Sequence, residues 1–316
     1  MKELELDQIY NLDCLDGMKH IPDGSIDAII CDLPYGTMKG VLLKGYDRTI
    51  MDWDIRIPTD LLFEQYERVL RMNGVAILFS QEPYTNHLRS FQYRNTNFEF
   101  AYPMIWEKDS FGNNLIAGYA PASYFEDISV FCKRFDTSNH HPVRDYAKAL
   151  MRYCGVKSCK QVNEFLGHRH AEHFFYVDST QFALCTKETY NELIERYHID
   201  KMEGFKTYEE LVKMDTKFQR IFNLPAGKGH KSNILKYAKD TDGFHPTQKP
   251  VALIADLIRT YSNEGDTILD NCMGSGTTAV ACIKEKRHFI GFELNKDYWN
   301  KACRRIDAER RQLSLF

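Results

Sequence analysis

A carboxylate, a proline and an aromatic ring follow directly on an apolar run near the start of the chain. Residues 26–31 predict a buried strand, and Asp32, Leu33, Pro34 and Tyr35 come immediately after it. Asp32 and a carbonyl of Leu33 or Pro34 could each accept one N–H of an exocyclic amine, while the Tyr35 ring stacks on the base that carries the amine. The four residues therefore suit attack by a base nitrogen. An ordinary turn is the alternative, because Asp and Pro favour turns by themselves.

A glycine-rich turn between two predicted strands forms a second candidate site. Asp270 ends the strand at 267–270, Gly274 and Gly276 lie in the turn, and Glu293 ends the next strand. The glycines would admit a ligand to the backbone, the start of the following helix offers free N–H groups, and Glu293 could accept ribose hydroxyls. The pattern predicts a nucleoside ligand, and its spacing fits both NAD and S-adenosylmethionine. The residues assigned to this ligand are Asp270, Asn271, Cys272, Gly274, Ser275, Gly276, Thr277, Thr278 and Glu293.

The hexapeptide at 245–250 helps to choose between the two ligands. Its residues His245, Thr247 and Lys249 are assigned to the cofactor, because a hydroxyl and an ammonium could bind an amino-acid carboxylate. NAD has no such group. S-adenosylmethionine has one, together with an ammonium that Asp270 or Asp32 could accept. Alone, the hexapeptide is also typical of a proline-bounded linker, so the choice rests on the three motifs together.

Predicted strands and helices alternate at both ends of the chain but not in its middle. Strands at 8–12, 26–31 and 74–80 enclose a helix at 61–72, and a long hairpin follows at 98–108 and 127–132. The alternation resumes with a helix at 251–261. The polar, tyrosine-rich block between them has helical periodicity. We therefore expect an α/β catalytic domain formed by 1–136 and 244–316, with a helical domain inserted at 137–243.

Taken jointly, these motifs resemble the β class of amino-methylating DNA methyltransferases, bacterial and prophage enzymes that act on adenine N6 or cytosine N4. The resemblance covers about residues 1–135 and 244–316, and the stretches that carry it are 18–25, 32–36, 106–108, 245–250 and 270–278. It implies a circularly permuted, seven-stranded Rossmann-like sheet in which the strand before Asp13 lies third, after those ending at Asp270 and Glu293. Leu33 stands where the family usually has proline, and Cys272 where it usually has an aromatic residue.

The resemblance also implies a reaction and a set of partners. S-adenosylmethionine would be the cofactor, with Asp13 or Cys14 near its adenine ring and Asp32 between cofactor and base. The enzyme would flip an adenine from double-stranded DNA and methylate N6, and Asp at the head of the catalytic motif favours adenine over cytosine N4. Two further hypotheses stay open, a catalytically weak DNA-binding regulator and an NAD-dependent dehydrogenase. A homodimer and a partner restriction endonuclease are both compatible with the family.

Two parts of the middle block are candidates for DNA contact. Residues 146–175 are similar to a helix-turn-helix, which predicts DNA contacts by Arg169 and His170. The stretch 217–239 carries six Lys or Arg residues and no acidic residue, which predicts phosphate contacts by Lys228 and Lys231. Solvated helical surfaces are the alternative for both. Histidines at 168, 170 and 173 fit no standard zinc spacing, so no metal is predicted.

Composition excludes several classes of protein. The 316 residues are 43% hydrophobic and 27% charged, which suits one large globular domain or two unequal ones. A formal net charge of −3 means that any DNA contact must come from a local basic face. Nine cysteines without a Cys-x-x-Cys pair predict a reducing compartment. With no apolar stretch of about 18 residues, we expect a cytoplasmic protein without membrane contact.

Overall fold

The computed structural model describes residues 4–36, 55–91, 97–112, 118–119, 121–134, 141–179, 181–240 and 248–313. The chain divides into two compact units. The first unit combines Met1–Arg134 with Ile221–Phe316, and the second unit is Phe135–Arg220. The predicted insertion, 137–243, is therefore too long at its end. Within residues 221–240, a short strand pairs with the large sheet and so belongs to the first unit.

The first unit alternates strands and helices. Its amino-terminal part contains β1 (Gln8–Tyr10), α1 (Cys14–Met18), β2 (Ile26–Asp32), α2 (Thr59–Val69), β3 (Leu70–Ser80), α3 (Tyr84–Ser90), β4 (Phe98–Gly112) and β5 (Ser123–Lys133). The second unit contains α4 (Pro142–Cys154), α5 (Cys159–Leu166), α6 (Lys187–Tyr197) and α7 (Tyr208–Phe218). The chain then completes the first unit with β6 (Ile234–Lys236), α8 (Val251–Tyr261), β7 (Thr267–Asp270), α9 (Thr277–Lys284), β8 (His288–Phe292) and α10 (Lys296–Leu313).

One sheet of eight strands organises the first unit, in the order β1-β8-β7-β2-β3-β5-β4-β6. Strand β5 runs antiparallel to its neighbours β3 and β4, whereas the other pairings are parallel. The Rossmann-like class of fold is confirmed, and β1 lies third after β7 and β8, as predicted. The expected number of seven strands is exceeded because Ile234–Lys236 pairs with β4 at the predicted hairpin edge.

Both faces of the sheet are covered. Along β2, Ala28 and Ile30 face one apolar cluster with α8, α9 and α10, whereas Ile29 and Cys31 face another with α1, α2 and α3. A parallel strand buried on both faces needs apolar residues on both sides, which explains the unbroken apolar run at 28–31. Because β2, β7 and β8 are parallel neighbours, their carboxyl ends lie side by side at one edge of the sheet.

The second unit has a core of its own. Apolar side chains of α4, α5, α6 and α7 pack together, and among them Leu150, Val162, Leu193 and Leu211 are almost completely buried. Helix α4 ends at Gly155, which has a left-handed φ of 69°, and α5 begins four residues later. Two helices joined by so short a turn are compatible with the predicted helix-turn-helix.

Among the helices of the described ranges, none combines the length and the apolar character that a membrane crossing requires.

Candidate active site

Three acidic residues meet at the carboxyl edge of the sheet. Asp32 ends β2, Asp270 ends the neighbouring β7, and Glu293 directly follows β8 on the far side of β7. All three line one cavity of about 560 Å³, which Asp13 and Cys14 from the start of α1 also line. Asp32 and Pro34 of the predicted catalytic motif therefore line the same space as the predicted nucleoside motif, although about 240 residues separate the two motifs in the sequence.

Both carboxylate oxygens of Asp32 accept a hydrogen bond. The Tyr35 hydroxyl donates to Oδ1 at 2.6 Å, and the Lys249 ammonium donates to Oδ2 at 2.6 Å. Burial raises the pKa of the Asp32 carboxyl above its ordinary value, and the Lys249 ammonium opposes that rise. Pro34 lines the cavity, whereas the Leu33 side chain is buried in the core. The turn after β2 thus holds one carboxylate in a fixed orientation at the cavity wall.

Lys249 contacts a second carboxylate that sequence reasoning missed. Its ammonium lies 3.0 Å from Glu126 Oε2, at the start of β5, and Lys108 Nζ lies 3.3 Å from Glu126 Oε1. The Lys249 side chain is only 6% exposed, so both carboxylates hold it away from water. The structure gives this ammonium two carboxylate partners of the protein, where the sequence predicted a carboxylate of the cofactor.

Arg56 was also missed by the sequence prediction. It lines the cavity, its Nε donates to the Tyr35 carbonyl at 2.7 Å, and its guanidinium lies over the Tyr84 ring. These contacts tie the segment before α2 to the turn that follows Asp32. Nothing in the local sequence around Arg56 signals this role, because the contact joins residues 21 positions apart.

The glycine turn is built around the Asp270 carboxylate. Its Oδ1 accepts the Cys272 N–H at 3.0 Å and its Oδ2 accepts the Thr278 hydroxyl at 2.6 Å. Burial raises the pKa of Asp270 to about 6. Gly276 has a φ of 80°, and a Cβ there would lie 3.2 Å from that of Ala302. The turn therefore requires glycine at this position both for its backbone conformation and for the packing of α10.

Glu293 is fixed by two backbone donors. Gly274 N–H donates to Oε2 and Asn295 N–H to Oε1, each at 2.8 Å. Burial raises the pKa of the Glu293 carboxyl. Each oxygen keeps a second lone pair, so the carboxylate can still accept hydroxyl groups from the cavity.

The remaining residues assigned to the cofactor have different surroundings. Asp13 accepts N–H groups of Leu15 and Asp16 and so caps α1. Asn271, Cys272, Ser275, Thr277 and Thr278 line the cavity, and Ser275 and Thr277 share a hydrogen bond of 3.0 Å. His245 and Thr247 lie outside the described residues.

The residues predicted to contact DNA fall into two groups. Arg169 and His170 are exposed in the second unit, where Arg169 also pairs with Glu172, and Lys228 is exposed in the first unit. Lys231 is less accessible than these residues. Its side chain is 8% exposed and its ammonium lies 2.5 Å from Asp256 of α8, so a phosphate would have to compete with Asp256 for it. A basic stretch in the sequence does not reveal such a partner.

Comparisons with known proteins cover nearly the whole chain. A sequence profile described as DNA methylase, and named for N6 and N4 methyltransferases, matches residues 26–304. DNA adenine methyltransferase YhdJ of Escherichia coli is 26% identical over 307 residues, which cover 96% of this chain and 84% of that protein. Type II methyltransferase M.HindIII of Haemophilus influenzae is 25% identical over 343 residues and covers 96% of each. The crystal structure of an M1.HpyAVI–SAM complex matches with a TM-score of 0.52, 19% identity and coverage of 94% and 98%, and shows a shared fold.

Proposed function

The chain belongs to the DNA methylase family, and we propose that it methylates the N6 amine of adenine in duplex DNA. S-adenosylmethionine is its cofactor and supplies a methyl group on a positively charged sulfur. The cavity of about 560 Å³ is in the size range of small-molecule sites, and its carboxylates and backbone amides suit an amino acid joined to a nucleoside. Membership of this family removes the dehydrogenase that the glycine turn alone left open.

One observation carries the proposal: Asp32 lines the same cavity as the glycine turn. In the proposed step, N6 of adenine bonds to the methyl carbon while the carbon–sulfur bond breaks, its electron pair stays on sulfur, and N6 loses one proton to solvent. Asp32 accepts an N6–H and draws the nitrogen lone pair away from the ring. A carbonyl of Leu33 or Pro34 accepts the second N–H, and the Tyr35 ring stacks on the flipped base.

The cofactor is assigned to residues on three neighbouring strand ends. Glu293, held by two backbone N–H groups, accepts the ribose hydroxyls, and Asp270 attracts the ammonium of the amino-acid part. Asp13 and Cys14 line the part of the cavity proposed for the adenine ring. His245 and Thr247 keep their predicted role beside the carboxylate.

Recognition of duplex DNA is assigned to the second unit. The short turn between α4 and α5 and the exposed Arg169 and His170 support this assignment, and the exposed Lys228 of the first unit is proposed as a phosphate contact.

Adenine is preferred over cytosine because Asp begins the catalytic motif and because YhdJ is named an adenine methyltransferase. The test is single-molecule sequencing of DNA from cells that express the chain, together with mass spectrometry of the hydrolysed DNA. We expect N6-methyladenine in one sequence context. N4-methylcytosine would overturn the choice of base, and DNA binding without any new methylated base would favour the catalytically weak regulator.

Replacing Tyr35 should separate stacking from hydrogen bonding. Tyr35→Phe removes the hydroxyl that donates to Asp32, so we expect the single-turnover methylation rate to fall about fivefold. Tyr35→Ala also removes the stacking surface, and a loss of about a hundredfold is expected. Tyr10→Phe, which removes a hydroxyl bonded to the Glu5 backbone, is the matched control. Equal rates for the two Tyr35 variants would count against stacking.

A further inference from the structure

The amine of the target base needs a lone pair of Asp32, and each oxygen of that carboxylate has two lone pairs, one of which already accepts a protein hydrogen bond. This inference rests on the proposed function. Among the described residues, the Tyr35 hydroxyl bonds only to Asp32, whereas the Lys249 ammonium has a second carboxylate, Glu126, at 3.0 Å. Lys249 can therefore weaken its bond to Asp32 and keep a carboxylate partner, whereas the Tyr35 hydroxyl would lose its hydrogen-bond acceptor. Oδ2 is therefore the oxygen that can turn toward the amine at the lowest cost.

Glu126 is a buried partner of the Lys249 ammonium. Its Oε2 lies 3.0 Å from that ammonium. Its other oxygen is held by Lys108, whose side chain is only 3% exposed. The Glu126 carboxylate thus has one ammonium on each oxygen and competes with Asp32 for Lys249.

We propose that Glu126 is a positioning residue for methyl transfer, which competes with Asp32 for the Lys249 ammonium and so strengthens one oxygen of Asp32 as an acceptor for the amine of the target base. Sequence reasoning could not find it, because Glu126 reaches this edge through the antiparallel pairing of β5 with β3 and β4. The four groups Lys108, Glu126, Lys249 and Asp32 form a continuous chain of ion pairs with contacts of 3.3, 3.0 and 2.6 Å. Removal of one charge from this chain must be felt by the others, because burial weakens screening.

The charged groups that face Asp32 determine whether its pKa rises or falls in each variant. Lys249, Glu126 and Tyr35 are its immediate neighbours, Asp270 lines the same cavity, and the Cys31 thiol is buried in the core beside it. Glu126→Gln removes a nearby negative charge and the competing partner of Lys249, so the Asp32 pKa should fall. Lys108→Met removes a positive charge from the far end of the chain, so the Asp32 pKa should rise.

The decisive experiment compares Glu126→Gln with Glu107→Gln. Glu107 lies on β4, opposite Phe125 of β5, and pairs with the exposed Lys236. Glu107→Gln therefore makes the same substitution outside the buried chain of charges. Single-turnover methylation of unmethylated plasmid DNA is measured with S-adenosylmethionine over a range of pH. For Glu126→Gln we expect a plateau rate lower by about tenfold or more, with cofactor Kd within about twofold of the parent. The acid limb of the pH–rate profile should move to lower pH by about half a unit or more.

A second readout does not depend on activity. The Asp32 carboxyl is titrated by carbon-13 NMR in the parent, in Glu126→Gln and in Lys108→Met, with the signal assigned through Asp32→Ala. Opposite shifts in the two variants are expected. A folded Glu126→Gln protein whose Asp32 titration and pH–rate profile match those of the parent overturns the inference. Failure of the parent to methylate DNA would instead overturn the proposed function, and the titration would still decide whether Glu126 acts on Asp32.

Discussion

Replacing Asp32 with alanine should lower methyl transfer to duplex DNA by about a thousandfold, while the Kd for S-adenosylmethionine stays within about threefold. The adenine amine is a poor nucleophile because its lone pair is delocalised into the ring, and Asp32, which lines the cavity, is the proposed acceptor for its N–H. Asp32→Ala removes that acceptor. The Lys249 ammonium keeps Glu126 as a partner, so no unpaired buried charge remains to unfold the protein.

This prediction needs two measurements and one control variant. Single-turnover methylation gives the rate, and calorimetric titration gives cofactor affinity. Asp23→Asn is the control, because its side chain is 79% exposed and its removal also costs one negative charge. Methylation by Asp32→Ala at a rate near that of the parent would falsify the assigned chemistry.

Asp270→Asn should weaken binding of S-adenosylmethionine by about thirty- to a hundredfold at pH 8. The expected loss corresponds to one charge-assisted hydrogen bond to the ammonium, about 2–3 kcal/mol. The pH dependence provides a stricter test. Only the ionised carboxylate attracts an ammonium, and burial raises the Asp270 pKa to about 6. The Kd of the parent should therefore be constant above about pH 7 and should rise about tenfold per pH unit below 6.

The pH dependence of folding stability separates the loss of cofactor binding from unfolding of the protein. A carboxyl whose pKa is raised by folding binds its proton more tightly in the folded state, so the contribution of Asp270 to stability increases as the pH falls through 6. Loss of cofactor binding at pH 5.5 would thus not come from unfolding caused by this group. Asp266→Asn, the same substitution just before β7, at the opposite end of that strand, is the control. If the Kd of Asp270→Asn still changes with an inflection near pH 6, another group is responsible for the titration. Glu293 is then the first candidate, because burial also raises its pKa.

The parts of the site that the sequence predicted are local motifs at strand ends. Asp32 and the turn around Asp270 each follow an apolar run that has to be a buried strand, and parallel strands end at a common edge. The order β7-β8-β1 could also be predicted, but from the family resemblance and not from periodicity.

What the sequence missed depends on pairing between distant residues. Glu126 reaches Lys249 through the register of β5, and Lys231 meets Asp256 across 25 positions. Strand β6 has three residues, too few for a period-two pattern, so residues 221–240 were assigned to the wrong domain. A cluster of lysines gives no information about which acidic side chain lies beside each of them.

The separate apolar core of the second unit has a consequence for how such enzymes diversify. Its buried side chains pack against one another, so its outward residues can vary without loss of that core. With target recognition assigned to this unit, as proposed, a lineage that exchanged this segment for a homologous one would acquire a new genomic target and keep the residues of the cavity. Chimeras between relatives at these junctions should therefore differ in which sites they mark and not in how fast they mark them.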